Sequence, residues 1–501
     1  MRRIATLLTA LCLWLAAGGV SLAGLDPESL RRDLTEALTG GFSLYLPDGI
    51  GYGEITATAE GEAVRVRITK LTMPIQDLPG LLHLGDVAFT VADAGPGRYR
   101  VSKVDTSSKA SFVNQEGREV GLGNYRLERF SGIWSSALAN FLDLDFVASG
   151  IEVLVPEANF ALALEKVTMT AKSSAGAEGR LDQTTSFQAG PLRALMPLYG
   201  TVEIAEIRSD SEFAGMNLAA YRTLAEEMAK VKPAGKGKTP DRKQIAALIE
   251  RMAEIDIFPE RVWERMQLRG LSVVDQNQQP VFRLEEAEVD SAARELRTPL
   301  GAGSLGLRYG GLAMESAGGL GNPAFRRLVP HNAGFILSVE RFPTQPLWRI
   351  LLSVLAQQVA SGDSPSDSQN LAPLIGSQLL TAIQEAGTVF RLDRFHMDAE
   401  SGRVSGEGVV TLGAATPTGA TGHANFQIVG LDEMIAIAMS GGAGQPNAAG
   451  GAMFFMMLKG MARRETAPDG KIVDHFDIEL TPDGQILVNG RPAGLMPPPA
   501  Q

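Results

Sequence analysis

The feature that most restricts the fold of this chain is a recurring two-residue alternation of apolar and polar side chains. Val64, Val66 and Ile68 interleave with Arg65, Arg67 and Thr69, and a strand patterned in this way has one dry face and one wet face. Runs of the same kind recur at 86–91, 99–104, 125–130, 151–155 and 160–170, and again at intervals between Gln267 and Val488. Short half-apolar strands joined by turns pair antiparallel, and their dry face needs a cover. The expected fold is therefore α+β and β-dominated: one or more large curved antiparallel sheets, with amphipathic helices packed on one side.

The helices are marked by a change of period. Asp26 can cap a helix that Pro27 opens, with Leu30, Leu34 and Leu38 on one stripe before Gly40 and Gly41. A short amphipathic helix is predicted around Ile133 to Phe141. Between Met216 and Met266 two stripes appear, Leu218, Tyr221, Leu224 and Met228, then Ile245, Leu248, Ile249, Met252 and Ile255. The segment between them, Lys232 to Pro240, reads as a solvated hinge with Thr239 as cap and Pro240 in the first turn. Its Gly237-Lys238-Thr239 resembles the end of a phosphate loop, but Lys232 stands where that loop needs its first glycine. Three strands, ending near Ile207, Val339 and Val429, hand over to a helix within a few residues. Segments 361–370 and 440–451, rich in Gly, Ser, Asp and Asn, read as loops. The expected organisation is a leader over 1–23, a β-rich region over 24–210, a helical hairpin over 211–266 and a second β-rich region over 267–501.

The leader sets the compartment. Met1-Arg2-Arg3 precedes an apolar run from Ile4 to Val20, and Ser21-Leu22-Ala23 supplies the small residues of a signal-peptidase site. An uncleaved anchor is the competing reading, since about twenty apolar residues can span a bilayer. Leu11 before Cys12 does not suit lipoprotein processing. Cys12 is the only cysteine in 501 residues, so the part beyond the leader can form no disulfide and no thiolate metal site. A large exported chain without disulfides fits the periplasm of a Gram-negative bacterium. Its formal charge of −11, with no basic stripe and only 6% aromatic residues, argues against nucleic acid as a partner.

No motif specifies a reaction. The five histidines are scattered, and no H-E-x-x-H, G-x-S-x-G or dinucleotide fingerprint occurs. His423 falls on the polar parity of its strand, where solvation is its expected role. His475, Asp477 and Glu479 share one strand face, with Phe476, Ile478 and Leu480 opposite; this reads as an amphipathic strand rather than a metal site. Asp143 and Asp145 form a smaller pair. Met453, Phe454, Phe455, Met456 and Met457, followed by Arg463 and Arg464, form the candidate apolar-ligand surface, since methionine and phenylalanine at helical spacing adapt to lipid as readily as to core. No catalytic, cofactor or metal residue is assigned.

The run from Gly402 to Gly413, the strand His423 to Val429 with the helix from Leu431, the hairpin Phe476 to Gly490, and Pro330 through Trp348 resemble an alphaproteobacterial family of exported proteins built on a domain of unknown function. More distantly they are similar to the YdgA-like and AsmA-like envelope proteins. The many half-apolar strands, with few disulfide or metal constraints, lead to the expectation of an envelope protein without catalysis and without a cofactor, with a lipid or another envelope protein as partner and peripheral contact with a membrane; the resemblance implies the lipid-handling part of this reading. The alternatives are an envelope hydrolase using dispersed carboxylates such as Asp143, Asp145 and Asp477, or a structural scaffold. If the leader is cut after Ala23, amino-terminal sequencing of protein released by osmotic shock should begin near Gly24; recovery of Met1 in the membrane fraction would establish the anchor instead.

Overall fold

A computed structural model describes residues 26–36, 51–74, 80–114, 116–135, 140–156, 159–177, 180–196, 200–231, 241–314, 326–361, 372–413, 416, 419–440, 455–468 and 470–493. The leader, the segment Lys232 to Pro240 and most of the two Gly/Ser-rich segments lie outside these residues. Among the described residues there are 23 strands, every ladder between them is antiparallel, and strand far outweighs helix. The chain is a β-dominated α+β protein built on large antiparallel sheet structure. It divides into two compact units, the first comprising Met1–Lys232, Ile255–Pro259 and Val273–Gln278, the second Pro233–Glu254, Glu260–Ser272 and Gln279–Gln501.

The first unit opens with helix α1 (Pro27–Glu36), whose Leu30 is buried and whose cap is Asp26, accepting from Ser29 N at 2.9 Å. Its strands are β1 (Ile55–Glu60), β2 (Ala63–Pro74), β3 (Gly80–Asp93), β4 (Arg98–Thr106), β5 (Lys109–Asn114), β6 (Glu119–Ser135), β7 (Asn140–Val155), β8 (Phe160–Ala175), β9 (Leu181–Met196), β10 (Gly200–Ile204) and β11 (Glu206–Met216). β1 pairs with β2 and β2 with β3; β4 and β5 both bridge β3 to β6; β6, β7, β8 and β9 follow in order, and β9 takes both β10 and β11. The alternation does what it predicts. Val64, Val66 and Ile68 are buried to 1% exposure or less, opposite Val91, Phe89 and Val87 on β3. Arg65, on the wet side, reaches Thr90 Oγ1 at 3.1 Å and pairs with Asp105. Helix α2 (Leu218–Lys230) ends the first unit's main segment, capped by Asn217, and its Leu218 and Tyr221 pack against Leu142, Leu181 and Met216.

The second unit contains α3 (Arg242–Met252), β12 (Arg261–Val274, whose last residues belong to the first unit), β13 (Pro280–Arg294), β14 (Gly301–Gly310), β15 (Ala313–Met314), β16 (Asn332–Phe342), α4 (Thr344–Ser361), α5 (Ala372–Ala386), β17 (Val389–Ala399), β18 (Gly402–Leu412), β19 (Ala420–Val429), α6 (Leu431–Ser440), α7 (455–461), β20 (Arg463–Thr466), β21 (Ile472–Leu480), β22 (Ile486–Val488) and β23 (Arg491–Pro492). Seven strands pair in succession, β13, β14, β16, β17, β18, β19 and β21, with β15 on β13, β20 and β22 on β21, and β23 on β22. α3 packs on α4, and α4 on α5.

Several local expectations are corrected. Ile133 to Ser135 belong to β6 and Phe141 to β7, not to a helix; Trp134 pairs opposite Phe141 across the hairpin, their rings edge to face at 5.3 Å. Asp241, not Thr239, caps α3, accepting from Lys243 N at 3.0 Å. The strand near Ile207 hands over to β11 before α2 begins, whereas β16 and β19 do pass directly to α4 and α6. Strand β9 and helix α5 were not foreseen. Replacing Leu164, 2% exposed on β8, by alanine should cost about 2–5 kcal/mol, while Leu307→Ala on β14 should cost less than about 1 kcal/mol because that side chain is already wet; denaturant unfolding of the two variants measures the difference.

Candidate functional site

Register decides which side chains of the second unit share a side of its sheet, because directly opposed residues point the same way. Leu305 on β14 faces Leu337 on β16, Leu337 faces Leu392 on β17, and Leu392 faces Gly408, which faces Ala424 and then Ile478 on β21. One row along, Leu307, Phe335, Phe395, Gly406, Phe426 and Phe476 are opposed in the same way; on the other flank come Val339, Phe390, Val410 and Leu480. One side of these six strands is thus apolar, about 24 Å across at about 4.8 Å per strand, while on β13 the same side is mixed, with Val289 opposite Leu307 and Ser291 opposite Leu305. The reverse side is charged: Glu288 meets Arg308, Arg391 lies 3.4 Å from Glu340, and His423 Nε2 lies 2.7 Å from Asp477 Oδ1.

The apolar side is closed into a buried core at one end. Over β19 and β21, helices α6 and α7 close a core in which Leu431, Met434 and Ile435 of α6 meet Ile428, Phe476 and Val488, with Phe455, Leu458 and Met461 of α7 packed alongside. From β13 to β18 no apolar side chain is buried. Leu305 is 43% exposed, Leu337 45% and Phe390 39%, and Leu307 and Val410 are similarly open. A contiguous, partly exposed apolar surface of this kind is more than folded proteins commonly leave in contact with water.

The covering helices are clamped by charge. Asp474, on the apolar parity of β21 and only 1% exposed, accepts from Arg464 Nε at 3.0 Å. Arg464 also reaches Asp432 in the first turn of α6, 3.2 Å away, and Lys459 of α7 reaches the same carboxylate at 2.6 Å. Hydrogen bonds from Lys459 and Arg464 hold the Asp432 carboxyl below its ordinary range. Beside this clamp lies a cleft of about 800 Å³, lined among others by His331, Asp398, Ser401, Arg403, Asp432 and Lys471. Its charged groups largely answer one another, Asp398 with Arg403 and Glu433 with Arg327, so it presents matched polarity rather than a demand for an ion.

Of the proposed apolar-ligand residues, Met453 and Phe454 lie outside the described residues. Phe455 is half-buried against the α6 core, while Met456 and Met457 project outward from α7, close to half exposed. The surface is therefore split, one part serving as core. His423 does more than meet solvent, since it engages Asp477; His475 Nε2 lies 3.6 Å from Glu465. Among the described residues no three His, Cys, Asp or Glu side chains are grouped so as to hold a metal. Asp143 accepts from Ser173 N at 3.2 Å and Asp145 pairs with Arg129 at 2.5 Å, both in the first unit, whereas Asp477 belongs to the second. Among the described residues no helix is long and apolar enough to cross a membrane. Comparison with known families, with curated proteins and with solved structures finds no match.

The clamp carries a pH dependence with a definite sign. A carboxyl whose folded pKa is depressed stabilises the folded state above its unfolded value, and that contribution is lost as pH falls through the folded value. The hold of α6 and α7 should accordingly persist at neutral pH and weaken below about pH 4. Hydrogen exchange in 431–440 should accelerate there in the wild type, and the pH dependence should be reduced in Asp432→Asn.

Proposed function

We propose that this is a non-catalytic periplasmic protein of the cell envelope that holds the acyl chains of a lipid on the open apolar side of its second sheet. The observation that carries the reading is the uninterrupted apolar side running from Leu305 through Leu337 and Phe390 to Val410, left wet while its continuation under α6 and α7 is dry. Hydrocarbon fits this surface for a plain reason: rows of leucine, valine and phenylalanine offer dispersion contacts and relief from water, with no hydrogen bonds to direct a polar ligand. The open strands β13 to β18 span about 19 Å at about 4.8 Å each. One acyl chain occupies about half of a hydrocarbon core of about 30 Å, so a chain laid across the strands fits within the strip.

The exported character expected from the leader places such a surface where lipids must pass between membranes, and the resemblance to envelope proteins points the same way. Native mass spectrometry of gently extracted protein tests the reading. Phospholipid or fatty acid should copurify with the wild type and be lost from a Leu305→Asp, Leu337→Asp, Phe390→Asp variant whose circular dichroism is unchanged. A wild type that is free of lipid and ignores added phospholipid overturns it.

A further inference from the structure

Helix α4 has three sides of different character. At 3.6 residues per turn, Gln345, Leu352 and Ala356 share one of them; Leu352 and Ala356 are buried, Gln345 donates to Arg297 O at 2.6 Å, and α3 packs on α4. Arg349, Ser353 and Gln357 form the second, exposed and polar as a wet face should be. Leu351 and Leu355 fall on the third, about 160° from Ser353. Half a turn from its wet face is where an amphipathic helix buries its leucines, yet these two are 46% and 40% exposed, and Leu380 on α5 is 49% exposed. Charge is almost absent from the two helices. Across the 18 residues of α4 and the 15 of α5 the only charged side chains are Arg349 and Glu385, in a chain that is 21% charged.

The pair is mounted on the two strands that carry the middle of the open strip. α4 leaves β16 just after Phe342, through the buried Pro343. α5 returns to β17 through Gly387, at φ +63°, and Thr388, which is fully buried and whose Oγ1 donates to Arg341 O at 3.0 Å. Arg341 Nε in turn donates to Ala386 O at 3.0 Å, and α5 touches β16. β16 and β17 contribute Leu337 and Phe390 to the strip, 45% and 39% exposed.

Building on the acyl-binding reading, we infer that the α4–α5 pair is the roof of that site: Leu351 and Leu355 close on a hydrocarbon chain lying over Leu337 and Phe390, while Arg349, Ser353 and Gln357 stay in water. Both apolar surfaces are wet in the structure, so the roof stands open, and a chain between them gives each what it lacks, dispersion contact and relief from water. The near absence of charge selects this occupant. Helices that lie on a bilayer surface carry lysine and arginine along their wet face, and α4 has Arg349 alone. A protein partner is anchored by aromatic or arginine side chains, and the open face offers leucine.

The test titrates cis-parinaric acid, a fatty acid that fluoresces when it leaves water, into the full chain. Leu351→Asp with Leu355→Asp should weaken binding about tenfold or more, the loss expected when two leucines no longer shed water on binding. Ser353→Asp with Gln357→Asp adds the same two charges to the opposite side of α4 and should bind as the wild type does, which separates the apolar face from repulsion of the carboxylate. A readout independent of those variants is a bimane label in a Cys12→Ser background, which removes the only native cysteine. Placed at Leu351→Cys it should shift to the blue when palmitate is added, and placed at Gln357→Cys it should not. Equal binding by the leucine variant and the wild type, or a label at 351 that does not respond, overturns the roof and leaves the acyl-binding reading in place. A wild type that ignores the probe overturns that reading, and the roof with it. A leucine variant that keeps the fatty acid but loses phosphatidylcholine vesicles assigns the helix face to a bilayer and overturns the roof as well.

Discussion

Every antiparallel sheet in this chain faces the same constraint: two-residue alternation makes one side apolar, and that side must leave water for the sheet to persist. The first unit satisfies the constraint by burial, with Val64, Val66, Ile68, Val87 and Phe89 enclosed on one side of β2 and β3. The second unit satisfies it most fully under α6 and α7. The strands from β13 to β18 are built to the same pattern, yet Leu305, Leu337 and Phe390 stand in water. Full burial of a leucine side chain is worth about 1.5–3 kcal/mol, and these partly exposed residues leave a share of that stabilisation unrealised.

Ion pairs do a different job in the two places where they occur. On the wet sides, pairs such as Arg67 with Asp86, both half exposed, are screened and contribute at most about 1 kcal/mol. Asp474 is another matter, because a carboxylate on the apolar parity of β21 would be costly without its partner. Arg464 answers it and at the same time reaches Asp432, so one guanidinium joins the strand to the first turn of the helix that covers it. The clamp fixes where the cover ends, and hence where the open surface begins.

How much of this was legible follows from what alternation can and cannot encode. Strands such as β2, β18 and β21 stand out because every second residue is apolar. β9 does not, since Gln183 takes an inward position and is buried, donating to Phe141 O at 2.6 Å. Ile133, Trp134 and Phe141 mimic a helical stripe because partners across a hairpin can be spaced like successive helical turns. The role of Asp474 is not legible in its own strand, because its partner Arg464 stands ten residues away on the neighbouring strand β20. The open side itself was beyond reach. Each strand announces a dry face, but only register shows that Leu305, Leu337 and Leu392 lie side by side, and only the placement of α6 and α7 shows which part they leave uncovered. In the methionine segment, among the described residues, Phe455 turns inward to the core while Met456 and Met457 face out.

In the second unit the apolar side extends over several rows and many strands, so a flexible hydrocarbon can lie along it and gain contact throughout its length. A net charge of −11 opposes self-association while that side is bare. The same charge discourages two copies from covering their open sides with each other, which leaves the sheet available to a neutral chain of hydrocarbon that brings no charge of its own.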